Sequence, residues 1–167
     1  MKNSQEIIIY TDGSCVGNQF KNADGGYGAI IETPNECIEL AQGYRDTTNN
    51  RMELRAVIAA LKTIPSESSV AIYSDSKYVI DAFGQGWLNK WIKRGWRKSN
   101  GKPVENQDLW KELLENTHGH KIRWIWVKGH SSIKLNECAD TLARMSMSGR
   151  KMLNDFGLTV ATVLDRY

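Results

Sequence analysis

Hydrophobic and polar positions along the chain change their period several times, and these changes outline strands and helices. Apolar, β-branched runs at residues 6–11, 27–32 and 36–44 predict three strands, the last two separated by a Thr-Pro-Asn turn. Residues 50–64 are rich in Met, Leu and Ala and contain neither Gly nor Pro, which predicts a helix that ends before Pro65.

Helices and strands then alternate. Residues 69–74 and 122–127 predict strands, whereas 76–83, 108–116 and 135–147 predict helices. In the last helix, a stripe of Leu135, Cys138, Leu142 and Met145 is expected to face the core. Strands first and alternation afterwards predict an α/β (α+β) fold, in which a mixed sheet that begins with three antiparallel strands is flanked by helices.

Composition narrows the class of protein. A chain of 167 residues with 41% hydrophobic and 25% charged residues is expected to form one globular domain. The start has only a four-residue apolar run and no segment has the length of a membrane span, so we expect a cytoplasmic protein without membrane contacts. The three cysteines lack metal-site spacing, and we expect small, mostly buried thiols.

Two predicted strands end in the same pattern. The sequence Ile-Tyr-Thr-Asp that ends at Asp12 recurs as Ile-Tyr-Ser-Asp ending at Asp75. If the strands are neighbours, both aspartates lie at the carboxyl edge of the sheet, where ligands bind in α/β folds. The alternative is that Asp12 starts a turn with Gly13 and Asp75 caps a helix.

Glu53 interrupts the apolar face of its helix. At about 100° per residue, Arg51, Arg55 and Lys62 form a polar stripe, and Glu53 points almost oppositely. A buried carboxylate needs a compensating cation or hydrogen-bond donors. An internal salt bridge to an arginine is one solution. Convergence with the two aspartates on a hard cation, Mg²⁺ or Mn²⁺, is the other.

Asp140 and His130 are less determined by pattern. Asp140 lies off the apolar stripe of the last helix, where an aspartate is usually just solvated. His130 follows the strand at 122–127 in a loop, where a lone histidine is commonly incidental. Its unperturbed pKa near ~6.5 nevertheless suits proton transfer at neutral pH.

Positive charge is concentrated in one segment, residues 84–104, which we call the basic handle. Six of the 22 Lys and Arg residues lie between Trp87 and Lys102 without an acidic residue, although the whole chain carries only +3. Three tryptophans, Trp87, Trp91 and Trp96, alternate with these cations. A solvated charge run is one interpretation. Cations for phosphates and flat rings for sugars or bases favour nucleic-acid binding, and a metal pocket beside such a grip suits phosphodiester cleavage.

The motifs in their order resemble the ribonuclease H type 1 family in its bacterial form. They run over residues 6–145 as YTDGSCVGN, GGYGAI, TTNNRMEL, SDSKYV, GWLNKWIKRGW, DLW, VKGH and NECADTLA. The resemblance implies a ribonuclease H-like fold with a five-stranded mixed sheet, three antiparallel strands followed by parallel ones, flanked by helices. It also implies a monomeric endoribonuclease that cleaves the RNA strand of RNA/DNA hybrids by divalent-metal-dependent hydrolysis, giving 3′-hydroxyl and 5′-phosphate ends. We expect the catalytic domain at residues 1–147 and a C-terminal extension of unknown role at 148–167.

The resemblance also implies the site residues. Four metal-binding carboxylates, which would hold two Mg²⁺ ions with Mn²⁺ as a substitute, correspond to Asp12, Glu53, Asp75 and Asp140, and the catalytic histidine corresponds to His130. Residues facing the RNA strand correspond to Gly13, Ser14, Cys15, Asn18, Asn50 and Asn136, with Lys77 where the family often has glutamine. Residues assigned to the DNA strand are Thr48, Asn49, Arg51, Trp91 and Trp110, together with Trp87, Lys90, Lys93, Arg94 and Lys98 of the basic handle.

Two other functions compete with this one. A hybrid-binding module without activity would not need the complete set of carboxylates. A DNA-cutting relative of the same fold, such as an integrase or resolvase core, lacks the basic handle together with the TTNNRMEL and VKGH segments.

Overall fold

The computed structural model describes residues 5–17, 23–148 and 151–156. Within them a mixed sheet of six strands has the order β5-β4-β1-β2-β3-β6. The strands are β1 (Ile7–Cys15), β2 (Ala23–Glu32), β3 (Cys37–Thr47), β4 (Ser69–Ser74), β5 (Lys121–Trp126) and β6 (Leu153–Asn154). The α/β class is confirmed, and three antiparallel strands are followed by parallel ones as predicted. The predicted count of five strands is one too low, because the C-terminal segment adds β6.

Five helices lie within the described residues and flank this sheet. They are α1 (Asn49–Thr63), α2 (Lys77–Gly84), α3 (Trp87–Lys93), α4 (Gln107–Thr117) and α5 (Lys134–Ser146). Thr48 caps α1, and its Oγ1 accepts a hydrogen bond from the backbone N–H of Arg51. No helix in the part of the chain that the structure describes is long and apolar enough to cross a membrane.

The repeated strand endings lie side by side. β1 and β4 pair in parallel with Ile9 opposite Ile72 and Tyr10 opposite Tyr73, so the two copies of the motif are in register. The two tyrosine rings stack at 4.8 Å between centroids. Asp12 and Asp75, each two residues after its tyrosine, therefore meet at the carboxyl edge of the sheet, as the sequence predicts.

One face of the sheet carries the main hydrophobic core. Side chains of β1 and β4 pack there against α1, α2 and α4, and the fully buried members include Ile9, Leu54, Ile72, Leu113 and Trp110. Burial of these apolar side chains supplies most of the driving force for the fold.

Helix α5 covers the opposite face at very short range. A Cβ atom at Gly28 of β2 would overlap the carbonyl oxygen of Ala139, and one at Gly26 would lie 2.7 Å from the carbonyl oxygen of Ala143. The buried residues of α5 are accordingly Asn136, Ala139 and Ala143. The predicted apolar stripe is wrong: Met145 is 65% exposed, since small residues are needed wherever a helix approaches a strand this closely.

The C-terminal segment belongs in part to the sheet. β6 pairs in parallel with β3, and the following residue, Asp155, is 1% exposed. A domain boundary after residue 147 would separate β6 from the strand that holds it. The prediction of buried cysteines is also wrong, because Cys37 is exposed and Cys15 and Cys138 are half-buried, all three as free thiols.

Candidate active site

Three carboxylates converge at the carboxyl edge of the sheet. Asp12 of β1, Glu53 of α1 and Asp75 after β4 each place an oxygen within 4.8 Å of the other two. Asp12 and Glu53 are only 6% and 4% exposed. The cavity around them has a volume of about 290 Å³ and is also lined by Asp140 of α5, whose carboxylate lies 3.0 Å from the Arg144 guanidinium.

The competing structural interpretations of these carboxylates are wrong. Asp12 is not in a turn, since β1 continues past it and Asp12 pairs with Gly28. The cap of α2 is Ser76, whose Oγ accepts from the Val79 N–H at 3.3 Å, and not Asp75. Within the described residues Glu53 forms no ion pair, and its Oε2 is buried without a hydrogen-bond partner.

Two glycines allow the carboxylates to approach. A Cβ atom on Gly13 would lie 2.5 Å from the backbone nitrogen of Glu53, so this glycine lets α1 come close to β1. A Cβ atom on Gly129 would lie 2.7 Å from Oδ2 of Asp75, so the loop after β5 rests directly on that carboxylate. Both spacings depend on the absence of a side chain.

Burial and mutual repulsion disfavour ionisation of the cluster. Burial, followed by the charges of Asp75 and Asp140, raises the pKa of Asp12 to about 8. Burial raises the pKa of Glu53 well above its ordinary value, and Asp12 and Asp75 add to the effect. Burial and Asp140 also raise the pKa of Asp75. At neutral pH the cluster therefore retains protons unless a cation compensates the charge.

The donor set fits a hard divalent cation. All three converging groups are carboxylates, and two cavity-lining atoms, Oε2 of Glu53 and Oδ1 of Asn136, are buried without partners among the described residues. Oxygen ligands of this kind suit Mg²⁺ or Mn²⁺. Asp12, Glu53, Asp75 and, from the same cavity wall, Asp140 are the residues that could hold such ions.

His130 lies at the rim of this cavity. It is exposed, lines the cavity and has a backbone φ of +55°, a conformation unusual for a residue with a side chain. The structure thus places the predicted histidine beside the predicted carboxylates. His130 directly follows Gly129, which rests on Asp75, and its exposed imidazole is accessible to a bound molecule.

The residues predicted to face the RNA strand are only partly collected at the cavity. Gly13 and Asn136 line it, as does Asn49, which was predicted for the DNA strand. Ser14 and Cys15 continue β1 beyond Asp12, Asn50 is exposed on the first turn of α1, and Lys77 is exposed at the start of α2. Asn18 lies outside the described residues.

The Arg51 side chain does not face solvent as the polar stripe predicts. It is 1% exposed, and its guanidinium donates to Asp155 at 2.7 Å and to Asp108 at 2.6 Å. Arg55 bonds to the same Asp155 carboxylate at 2.8 Å. In this arrangement the guanidinium of Arg51 is occupied by Asp155 and Asp108 and is not free for a DNA phosphate.

The basic handle is anchored by tryptophans, through a contact between Trp91 of the handle and Trp110 of α4. Trp110 is fully buried and donates its Nε1–H to the Tyr78 hydroxyl at 3.0 Å, and its contact with the DNA strand stays a prediction. The rings of Trp91 and Trp110 meet edge to face at 5.5 Å, and Trp87 and Trp96 pack beside Trp91. Lys90, Lys93 and Arg94 are exposed, whereas Lys98 pairs with Glu105 at 3.0 Å.

Sequence patterns missed several residues around the cavity. Glu137, the residue before Cys138 in α5, lines the cavity, and Gly129 contacts Asp75. The Trp126 indole N–H donates to the Asp75 carbonyl oxygen at 3.1 Å. Gly129 could have been found from its place in VKGH, but a tryptophan at a strand end carries no comparable signal.

Comparison with known proteins decides the family. The sequence profile of the RNase H family matches residues 4–148. The chain belongs to the RNase H family. A relative named Ribonuclease H from Idiomarina loihiensis is 46% identical over 157 residues, covering 94% of this chain and 98% of the relative. Another from Caldanaerobacter subterraneus subsp. tengcongensis is 50% identical over 144 residues, covering 86% of this chain and 92% of the relative. Membership of this family makes the chain a ribonuclease H enzyme.

Solved structures agree with this RNase H assignment. LC9-RNase H1, described as a type 1 RNase H with the type 2 active-site motif, superposes with a TM-score of 0.78 at 31% identity, covering 89% of this chain and 74% of the other. A foamy viral protease-reverse transcriptase in complex with RNA/DNA hybrid has a TM-score of 0.72 at 22% identity, with 86% of this chain and 20% of the other covered. The second likeness supports the fold alone.

Proposed function

We propose that this RNase H hydrolyses the RNA strand of RNA/DNA hybrids as an endonuclease, using two Mg²⁺ ions, with Mn²⁺ as a substitute, and leaving 3′-hydroxyl and 5′-phosphate ends. The observation that carries the proposal is the convergence of Asp12, Glu53 and Asp75 within 4.8 Å at the carboxylate cavity. Family membership supplies the reaction class, and the all-oxygen donor set supplies the preference for a hard metal.

The carboxylates are suited to hold the ions rather than to act alone. Asp12, Glu53, Asp75 and Asp140 would bind them, and the ions would supply positive charge at the scissile phosphate and acidify a nucleophilic water. His130, exposed at the rim, would receive or deliver a proton as the 3′ oxygen leaves.

Strand selection is assigned to groups that line the cavity and to the basic handle. The Asn136 amide and the backbone beside Gly13 line the cavity, where they would contact the 2′-hydroxyl that distinguishes RNA from DNA. Lys90, Lys93 and Arg94, exposed on the basic handle, would bind phosphates of the DNA strand. Action as a monomer is part of the proposal.

The deciding experiment compares substrates and metal. Labelled RNA/DNA hybrid, double-stranded DNA and double-stranded RNA are incubated with the protein, with and without Mg²⁺. We expect cleavage of the RNA in the hybrid alone and only with Mg²⁺. The products should carry a 5′ phosphate that phosphatase removes and a 3′ hydroxyl that accepts ligation.

Other results would contradict the proposal in distinct ways. Binding of hybrid without cleavage would support a non-catalytic binding module. Cleavage of double-stranded DNA would support a DNA-cutting relative. Equal cleavage with a chelator present would contradict the assignment of metals to the carboxylates.

A further inference from the structure

Glu137 is a fifth carboxylate on the wall of the carboxylate cavity, and the proposed chemistry does not use it. It lies on α5 three residues before Asp140, is exposed, and lines the cavity. Among the described residues it forms no ion pair. The cations of the same helix do not neutralise it there, because Arg144 pairs with Asp140 at 3.0 Å and Lys134 only lines a neighbouring cavity with Glu137.

The charge of Glu137 is in excess of what the proposed site needs. In the proposed function, on which this inference rests, the charge of two Mg²⁺ ions is balanced by four carboxylates, those of Asp12, Glu53, Asp75 and Asp140. Glu137 adds a further negative charge to the wall of the same cavity. A phosphate that enters the cavity is repelled by this charge, and because Glu137 is exposed, water and salt weaken the repulsion without removing it.

Cleavage changes the charge of the phosphate at this position. A phosphodiester carries one negative charge, whereas the 5′-phosphate monoester that hydrolysis leaves carries about 1.5 to 2 at pH 7. The carboxylate of Glu137 therefore repels the cleaved strand more strongly than the intact one. We propose that Glu137 promotes release of the cleaved RNA strand by repelling its new 5′ phosphate.

Binding of substrate and product is compared in an Asp12→Asn background, which is expected to keep the hybrid intact with Mg²⁺ present. Fluorescence anisotropy gives the affinity for three short labelled duplexes: an intact hybrid, a hybrid whose RNA strand has one nick with a 5′ phosphate, and the same nick with a 5′ hydroxyl. The variants are Glu137→Gln and Glu137→Asp. Glu39→Gln is the matched control, because Glu39 is exposed and lines the neighbouring cavity with Glu137 but not the carboxylate cavity.

Glu137→Gln should raise the affinity for the 5′-phosphate nick by about two- to tenfold, the range expected for one partly screened charge. The gain should fall in the order 5′-phosphate nick, intact hybrid, 5′-hydroxyl nick, because this is the order of charge at the cut position. It should also shrink at high salt. Glu137→Asp keeps the charge and should behave like its parent, and Glu39→Gln should change none of these affinities.

Product inhibition gives a second readout in the enzyme that retains Asp12. In Glu137→Gln, the inhibition constant of the 5′-phosphate nick should fall by a larger factor than the KM for intact hybrid.

Three results would overturn the inference. Weaker binding of the 5′-phosphate nick by a folded Glu137→Gln variant, with folding checked by a thermal melt, would show that Glu137 attracts the strand or a cation. Unchanged binding would show that its charge is not felt in the cavity. Equal gains for all three duplexes would exclude selective release of product. If the unaltered protein does not cleave hybrid, or leaves no 5′ phosphate, the proposed function fails instead.

Discussion

At the residue scale, the carboxylates that equip the candidate active site for chemistry lower the stability of the fold. Asp12 and Glu53 are buried next to each other, and burial together with neighbouring charges raises the pKa of both carboxyls. Without a bound cation, such a cluster lowers the free energy of unfolding at neutral pH. Functional sites are where a fold tolerates this kind of local conflict.

Replacing Asp12 separates catalysis from folding. Asp12→Asn should abolish cleavage of hybrid in Mg²⁺ and, because it removes one repelling carboxylate, raise the free energy of unfolding of the metal-free protein at pH 7 by about 1–3 kcal/mol. Urea denaturation and a cleavage assay measure the two effects. Asp46→Asn makes the same change at an exposed residue and should alter neither. Cleavage by purified Asp12→Asn protein would contradict the metal assignment.

The raised pKa values also predict linked proton release. The unfolded chain loses the Asp12 proton near pH 3.8 and the folded one near about 8, so the folded state binds more protons between these values and its stability falls as pH rises through them. Mg²⁺ should displace those protons. Calorimetric titration at pH 6.5 in buffers of different ionisation enthalpy should reveal proton release on Mg²⁺ binding. Asp12→Asn should release fewer protons, and equal heats in all buffers would exclude the coupling.

At the element scale, periodicity located nearly every helix and strand but not their contacts. Strand β4 was predicted at its observed bounds. The four predicted helices, which correspond to α1, α2, α4 and α5, differ from the observed ones by one residue at each end. β1 and β2 extend farther than predicted. Their glycines have low strand propensity and therefore gave no strand signal, but they allow close packing within the sheet. The wrong stripe on α5 has the same cause, since the helix rests on glycines and buries alanines instead of its larger side chains.

Gly28 tests that packing. Gly28→Ala puts a methyl group against the backbone of Ala139, which cannot rotate away, so we expect destabilisation by about 1–3 kcal/mol and weaker activity through displacement of α5. Gly84→Ala is the matched control, because its Cβ would meet nothing within 4 Å and should be neutral or slightly stabilising. Thermal and urea unfolding measure both. Equal stability of the two variants would show that α5 is not held by this contact.

The basic handle should act on affinity alone. Replacing Lys90, Lys93 and Arg94 by Ala should weaken hybrid binding and flatten its salt dependence by about 0.9 for each phosphate that the handle no longer binds, since all three are exposed. Mg²⁺ affinity should not change, because these residues do not line the carboxylate cavity. Lys62→Ala, which removes an exposed cation of α1, is the control. A salt slope equal to that of the parent would show that the handle does not bind the hybrid.

At the scale of the whole molecule, a buried charge network joins distant parts of the chain. Asp155, next to β6, accepts hydrogen bonds from Arg51, Arg55 and Thr47, and Arg51 continues to Asp108 of α4. No local pattern indicates these partners, because they are separated by about a hundred residues or belong to a segment with weak strand signals. The sequence therefore predicted the carboxylates of the cavity, because their positions are set by the periodicity of strands and helices. It did not predict the burial of Arg51.

The network should make the C-terminal segment a large contributor to stability. Asp155→Asn leaves the buried Arg51 with one charged partner, Asp108, and should lower the free energy of unfolding by about 3 kcal/mol at pH 7. Burial opposes ionisation of Asp155, but the hydrogen bonds from Arg51 and Arg55 outweigh it and lower its pKa to about 2. Its contribution is therefore complete above the unfolded value of 3.8 and is lost as pH falls toward about 2.

Urea unfolding of both proteins between pH 7 and pH 2 checks the size and the sign of this effect. The difference between parent and Asp155→Asn should be constant from pH 7 to about 5 and shrink below about 4. Glu105→Gln removes an exposed carboxylate that pairs with Lys98 and should cost less than about 1 kcal/mol. If Asp155→Asn costs no more than Glu105→Gln, or if its cost does not change as acid is added, then apolar packing of β6 and not the buried charges attaches the C-terminal segment to the domain.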